Sequence, residues 1–185
     1  MTAFSSLGAR LYTWFHGDPV SNRLVIALAE LGPEDCVLDV GCGPGAAVSG
    51  AAELIGARQV AAVDPTLAFV ERIRSRVPGV DVREAEAESL PFADDTFTVV
   101  WSISAMHHWA DRAAGLAETV RVLAPGGRLL LIESALRKAG HGITPEQADQ
   151  VMRELRALGL AEVDAADHRV RRRKTYTVIK AVAAA

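Results

Sequence analysis

The stretch Val37-Leu38-Asp39-Val40-Gly41-Cys42-Gly43-Pro44-Gly45 passes from a mostly apolar run straight into alternating glycines. Such a run, bounded by turn residues, reads as a buried strand. Glycine lets the chain turn sharply and lets the backbone approach a ligand where a Cβ would obstruct it. Ala46, Ala47 and Val48 then open a helix whose first amides have no partner inside the helix and face whatever lies over the turn. Strand, glycine turn and helix in that order predict a nucleotide-type binding site.

Working outward, strand-like and helix-like segments alternate, which predicts a parallel sheet covered on both faces. Apolar residues between Val20 and Leu31 mark an entry helix closed by Gly32-Pro33. Strands are expected at Val37 to Val40, Gln59 to Val63, Val80 to Arg83, Thr98 to Ile103 and Arg128 to Glu133. Helices are expected at Ala46 to Ile55, Leu67 to Val77 and Arg112 to Leu123, the last capped by Asp111 and stopped by Pro125-Gly126-Gly127. Thr144-Pro145-Glu146-Gln147 is a capping-box start for a final helix that runs to Gly159. Beyond it, Ala161 to Val170 and Thr175 to Val182 read as two strands joined by a short basic turn, hence antiparallel.

With 185 residues, half of them hydrophobic, the chain can bury one substantial core and has no room for a second domain of ordinary size. A net charge of -3 gives no global attraction to nucleic acid or to an anionic membrane. Cys36 and Cys42 flank the first strand, where each reads as a small packing residue rather than a disulfide partner. Met1 to Leu11 lacks the apolar core of a signal peptide, and no segment reaches the ~18 consecutive apolar residues of a membrane span. A cytoplasmic protein is expected.

Two enzyme groups build a strand–glycine–helix site. Read as Gly41-x-Gly43-x-x-Ala46, with an acid ~20 residues on at Asp64, the turn fits the dinucleotide fingerprint with its third glycine replaced. The wider stretch resembles the class I S-adenosylmethionine-dependent methyltransferases, in the type 11, UbiE-like group. The resemblance rests on VLDVGCGPG, on Ala61-Ala62-Val63-Asp64-Pro65, and on Glu86-Ala87-Glu88-Ser89-Leu90-Pro91-Phe92 followed by Asp94-Asp95-Thr96-Phe97. It continues through His107-His108-Trp109 and Arg121-Val122-Leu123-Ala124-Pro125-Gly126-Gly127-Arg128, in family order over residues 35–133. It implies an α/β fold: a doubly wound, Rossmann-like, seven-stranded sheet, mostly parallel, with an antiparallel C-terminal strand and helices on both faces. Residues 1–32 then form an N-terminal helical segment, 35–133 the cofactor-binding core, and 134–185 the last helix and closing hairpin of one domain.

The cofactor implied is S-adenosyl-L-methionine, with S-adenosyl-L-homocysteine as product. By resemblance Gly41, Cys42, Gly43 and Gly45 pass under its methionine part and ribose, while Asp39 holds the loop and reaches the amino group. Asp64 has two oxygens for the vicinal ribose hydroxyls, or else caps the following helix ahead of Pro65. Glu86 stands where the family usually has an aspartate for the adenine amine, with the Ala87 amide facing the ring; a solvated loop acid is the other reading. Pro65, Leu67 and Phe92 are candidates to sandwich the adenine, and Ser102 ends the fourth strand beside the cofactor. The family's Phe-Asp is Phe97-Thr98 here, so an aspartate that usually supports the loop is missing. The Asn/Asp-Pro-Pro-aromatic tetrapeptide of base and glutamine methylators is also missing after Ser102-Ile103-Ser104.

His107 follows the fourth strand, where open parallel sheets expose their crevice, and suits a general base on a hydroxyl acceptor. His107 and His108 read equally as packing and hydrogen-bonding loop residues. No HxxxH or CxxC spacing is present and adjacent histidines are expected to diverge, so no metal is expected. If the sixth strand is parallel and the seventh antiparallel, the turn Arg169-Val170-Arg171-Arg172-Arg173-Lys174 lies on the crevice edge. The loop Ser134 to Thr144 opens on the same edge with Arg137, Lys138 and His141. Together these segments hold 7 of the 20 Lys and Arg and none of the 23 Asp and Glu. They read either as a solvated hairpin that blunts an edge or as an electropositive rim drawing in an anionic acceptor through His108, Arg137, His141, Arg171 and Arg173. With only about eleven residues after the fifth strand, the acceptor must be covered by Phe4 to Phe15, by a homodimer partner, or by nothing. The leading expectation is methyl transfer to oxygen, carbon or nitrogen of a small molecule. An NAD(P)-linked reductase and a non-catalytic cofactor-binding partner remain the alternatives.

Overall fold

A computed structural model describes residues 19–136, 138, 140–171 and 174–184, with Pro19 and Arg171 described by their backbone alone. The helices are α1 (Pro19–Ala29), α2 (Ala46–Ile55), α3 (Leu67–Arg76), α4 (Arg112–Arg121) and α5 (Pro145–Ala157). The strands are β1 (Val37–Val40), β2 (Val60–Asp64), β3 (Asp81–Glu84), β4 (Phe97–Ile103), β5 (Leu123–Ser134), β6 (Leu160–Arg171) and β7 (Lys174–Ala183). They form a seven-stranded sheet of order β3-β2-β1-β4-β5-β7-β6. Strands β1 to β5 pair in parallel, and β7 runs antiparallel to both β5 and β6. The end of β6 and the start of β7 therefore fall on the edge where the parallel strands end.

The alternation along β1 shows how the two layers are filled. Leu38 and Val40 point into a core shared with Leu116 of α4 and with Ala148, Val151 and Leu155 of α5. Val37 points to the other face, with Val25 and Ala29 of α1, Val48 and Ala51 of α2, and Val70 and Ile73 of α3. Both faces are buried, so the strand reads as an apolar run broken only by Asp39. Truncating a fully buried Leu38 or Leu155 to alanine in such a core costs about 2–5 kcal/mol.

Capping accounts for two helix starts. Asp111 accepts the Ala114 amide at 3.0 Å, and Thr144 and Gln147 close a reciprocal capping box ahead of Pro145. Most element bounds differ from expectation by a residue or two, and β5 begins five residues early, at Leu123. Gln59 lies in a 3-10 turn, its side chain donating to the Pro33 and Asp35 carbonyls, so β2 begins at Val60. The third strand begins at Asp81, one residue late. Helix α4 stops at Arg121 because Leu123 is drawn into the sheet opposite Phe97; Pro125-Gly126-Gly127 then forms an irregularity inside β5 rather than the helix stop.

Candidate functional site

Strand order reverses direction at β1, whose neighbours are β2 on one side and β4 on the other. Ligand crevices of open parallel sheets form at that switch point, outside the carboxyl ends of the strands. Two segments meet there. The glycine turn leaves β1, and Ser104, in the left-handed region at φ 51°, swings the chain off β4 into a 3-10 turn at Met106–His108. They touch directly: a Cβ on Gly41 would stand 2.5 Å from the Ala105 Cβ. Gly43, at φ 50°, has open space where its Cβ would be, so its backbone is the bare surface a ligand can approach.

Hydrogen bonds fix the turn to β2. The amides of Gly41 and Cys42 donate to the Val63 carbonyl at 2.9 and 3.0 Å. The Gly43 amide donates to Asp64 Oδ2 at 2.9 Å, and the Thr66 amide to Asp64 Oδ1 at 2.8 Å. Thr66, not Asp64, is the N-cap residue of α3. Each Asp64 oxygen thus accepts one amide and keeps a further lone pair for an incoming hydroxyl. Burial raises the Asp64 carboxyl above its ordinary value despite these amides. Pro65 follows it half-buried, and Leu67 is 46% exposed at the same edge.

Asp39 is the less ordinary acid. It lies on β1 opposite Trp101 of β4, 1% exposed, and its Oδ1 makes no hydrogen bond among the described residues. Desolvation pushes its carboxyl up to about 7, with the Trp101 indole opposing the rise and the Asp64 charge adding to it. Cys42 is buried in the same layer, its thiol pushed well up by burial and by both acids, which fits a packing residue. Ser102, 1% exposed near the end of β4, likewise has a hydroxyl without a hydrogen-bond partner among the described residues.

The adenine-side expectations divide. Ala87 is buried in the core beside half-buried Glu86. Phe92 is not available to stack on a ligand: it meets Phe97 edge-on at 5.0 Å, and the Arg83 guanidinium covers its ring at 4.4 Å. Thr98 lies at the start of β4, on the edge opposite the glycine turn. Its hydroxyl accepts the Cys36 amide at 3.0 Å and donates to Asp35 at 2.7 Å, with Arg128 on the other Asp35 oxygen at 2.8 Å. The exchange of aspartate for threonine is therefore absorbed far from the crevice. A cavity of about 310 Å³ lined by Gly32, Asp35, Thr98 and Arg128 lies on that same remote edge.

On the acceptor side, His107 Nδ1 is 2.7 Å from Glu133 Oε2, while the His107 amide donates to Oε1 at 3.3 Å. With both oxygens accepting, Nδ1 carries the proton and Nε2 is left with its lone pair. Glu133 is 2% exposed, at the end of β5. Sequence reading assigned it no role, although an acid closing the apolar run Leu129–Ile132 at a carboxyl edge was a usable signal. Contrary to the expected divergence, the tight 3-10 turn folds the His107 and His108 rings together, centroids 4.0 Å apart. The bridge Ala135–Ile143 closes the base of the next loop and brings His141 to 5.6 Å from each of them. Burial and its two neighbouring rings hold the His108 imidazole down at about 4, neutral at physiological pH. Arg137, Arg172 and Arg173 lie outside the described residues, as does Phe4 to Phe15, and the Arg171 side chain with them. Lys174, exposed at the turn, holds its ammonium 5.4 Å from the Tyr176 ring centre.

Comparison with known proteins adds the family context. The model of a family described as "Methyltransferase domain" matches residues 38–131. The 27-O-demethylrifamycin SV methyltransferase of Amycolatopsis mediterranei is 31% identical over 176 residues, covering 81% of this chain and 64% of that protein. Methyltransferase GfsG of Streptomyces halstedii is 41% identical over 106 residues, covering 55% of this chain and 38% of its own. The chain thus spans about four-tenths to two-thirds of the length of these curated relatives. A SAM-dependent methyltransferase structure from Aquifex aeolicus superposes with a TM-score of 0.73 at 20% identity, over 97% of this chain and 98% of that one. At that identity the likeness establishes the fold. Among the described residues no helix is long and apolar enough to cross a membrane.

Proposed function

Because the chain belongs to the class I S-adenosylmethionine-dependent methyltransferase family, we propose that it moves a methyl group from S-adenosylmethionine to a hydroxyl oxygen of a small-molecule acceptor. The observation that carries the choice of oxygen is the His107–Glu133 pair at the carboxyl edge. A hydroxyl must lose its proton as the new bond forms, whereas a carboxylate acceptor would need no base. The 27-O-demethylrifamycin SV methyltransferase is named for an acceptor of that kind.

The residues fit the cofactor. Asp39 presents a buried carboxyl with an oxygen that lacks a partner, which a cationic amino acid group would satisfy, and Gly43 offers backbone with no Cβ in the way. Asp64 would hold the ribose hydroxyls with the lone pairs its two amide bonds leave over. Half-buried Glu86 and the Ala87 amide would hold the adenine, with Pro65 and exposed Leu67 at its rim. When bound, the cofactor supplies an electrophilic methyl on a positively charged sulfur, so the protein need only align and deprotonate.

Glu133 fixes the ring of His107 through Nδ1 and stabilises the imidazolium that forms when Nε2 takes the acceptor proton. Neutral His108 beside it adds no competing positive charge. Arg137, Arg171 and Arg173, which the sequence pattern assigns to an electropositive rim, would orient an acceptor that carries an anionic group, and a second copy of the chain is one way to cover it. Calorimetry with S-adenosylhomocysteine, then mass spectrometry of a panel of hydroxylated small molecules, tests the reading. A preference for a nicotinamide cofactor would overturn it.

A further inference from the structure

His107, His108 and His141 do more than neighbour one another. One ring nitrogen from each lies within 4.8 Å of the others'. Two come from a single 3-10 turn and the third from a loop whose base is pinned by Ile143 donating to the Ser134 carbonyl at 2.9 Å and Leu136 to the Ile143 carbonyl at 2.9 Å. The pin needs Gly142, because a Cβ there would stand 2.3 Å from the Ser134 oxygen. Glu133 holds Nδ1 of His107 from behind, the arrangement in which a carboxylate orients a metal-ligating imidazole and raises its basicity. We propose that His107, His108 and His141 form a binding site for one divalent late first-row cation of the Zn²⁺ type.

The geometry needs little adjustment. Nitrogens bound to Zn²⁺ at about 2.0–2.1 Å in a tetrahedron stand roughly 3.3 Å apart. The separations here exceed that by no more than about 1.5 Å, within reach of a rotamer change by exposed His141 while His107 stays fixed by Glu133. Three imidazoles without a thiolate favour zinc, copper, cobalt or nickel over magnesium or calcium, which prefer oxygen ligands. Three protein ligands leave a fourth position for water or an acceptor oxygen. The sequence spacing concealed the site, since the third ligand lies 33 residues beyond the second in a different loop. Binding of the ion does not rest on the methyltransferase reading. Its consequence does: the ion takes the Nε2 lone pair that the acceptor proton needs, so ion and proton abstraction by His107 exclude each other.

The test is titration of chelator-stripped full-length protein with Co²⁺, followed by its visible ligand-field bands, and with Zn²⁺ by calorimetry. One saturable equivalent with tetrahedral-type Co²⁺ absorption is expected, weakened at least ~10-fold in His141→Ala, with half-buried His168→Ala on β6 as the control. Thermal unfolding of His141→Ala establishes that it is folded. Absence of a saturable equivalent in the wild type, or equal affinity in His141→Ala, overturns the site. Because no methyl acceptor enters this titration, its failure is separate from any failure of the proposed reaction; equally, zinc that binds as expected but leaves turnover unchanged overturns the exclusion of base and ion.

Discussion

Replacing Asp39 by asparagine should make the cofactor-free protein more stable at pH 8 while making it a poorer binder. The carboxyl is 1% exposed, and desolvation lifts it from an ordinary 3.8 to about 7. Native protein therefore holds this proton more tightly than the unfolded chain does. Its contribution to stability is best below the unfolded midpoint near 3.8 and declines as pH rises through about 7. At 1.36 kcal/mol per pH unit of displacement, the penalty approaches roughly 4 kcal/mol at pH 8, and more than half of it develops between pH 5 and pH 8. In a chain of this size that interval corresponds to about 5–10 °C in Tm. Comparing Asp39→Asn with the wild type cancels the opposite trend of His108, whose depressed value withdraws stability as pH falls below its ordinary 6.5. The assay is calorimetric unfolding of both proteins at pH 5 and pH 8, with and without S-adenosylhomocysteine. Without ligand, the wild type should lose more stability than the variant on going to pH 8. With ligand, whose ammonium compensates the carboxylate, the wild type should recover while the variant binds ~10–100-fold more weakly. Parallel pH profiles for the two apo proteins would refute the buried-charge account, and unchanged affinity would refute the placement of the ammonium.

Asp64→Ala removes the acceptor of both the Gly43 and Thr66 amides as well as the ribose contact; affinity for S-adenosylmethionine should fall at least ~100-fold by calorimetry, with a loss of about 1–3 kcal/mol in unfolding free energy. His107→Gln and Glu133→Gln should each lower kcat at least ~10²-fold with cofactor affinity nearly unchanged, and the double variant should cost little more than either single one, because the pair acts as a unit; full additivity in steady-state kinetics would count against it. Neutralising Arg171, Arg172 and Arg173 together should raise KM for an anionic acceptor and flatten its salt dependence while sparing cofactor binding; efficient use of a neutral acceptor at high salt would remove the rim from the mechanism.

Where local signals agree, the sequence was a reliable guide. Val37 to Val40 and Ala46 to Ile55 have the bounds expected, because a buried strand, a glycine turn and a helix start follow one another without a gap. Strand direction at the C-terminal hairpin followed from a turn too short for a crossover, and the β6–β7 pairing is antiparallel. The misses arose where a distant partner decides. Leu123 carries a helical pattern but pairs with Phe97, and Phe92 looks like a ligand platform until Phe97 and Arg83 occupy its faces.

The acceptor side was the least legible because its chemistry is assembled from three separate segments. His107 was singled out for its place after β4, yet what makes its Nε2 a usable lone pair is Glu133, 26 residues away on the adjacent strand. The parallel register puts Ile103 opposite Ile132, so chain leaving β4 must pass the residue that follows Ile132. An acid at that position therefore meets the first ionisable side chain after β4 when the intervening turn is tight, and here the left-handed Ser104, its amide on the Ile132 carbonyl at 2.7 Å, makes it so. Register, not spacing along the chain, makes a histidine of ordinary appearance into one with a defined tautomer. The same turn sets His108 against His107, and the bridged loop beyond β5 adds His141, so the strands that orient one base also gather three imidazoles.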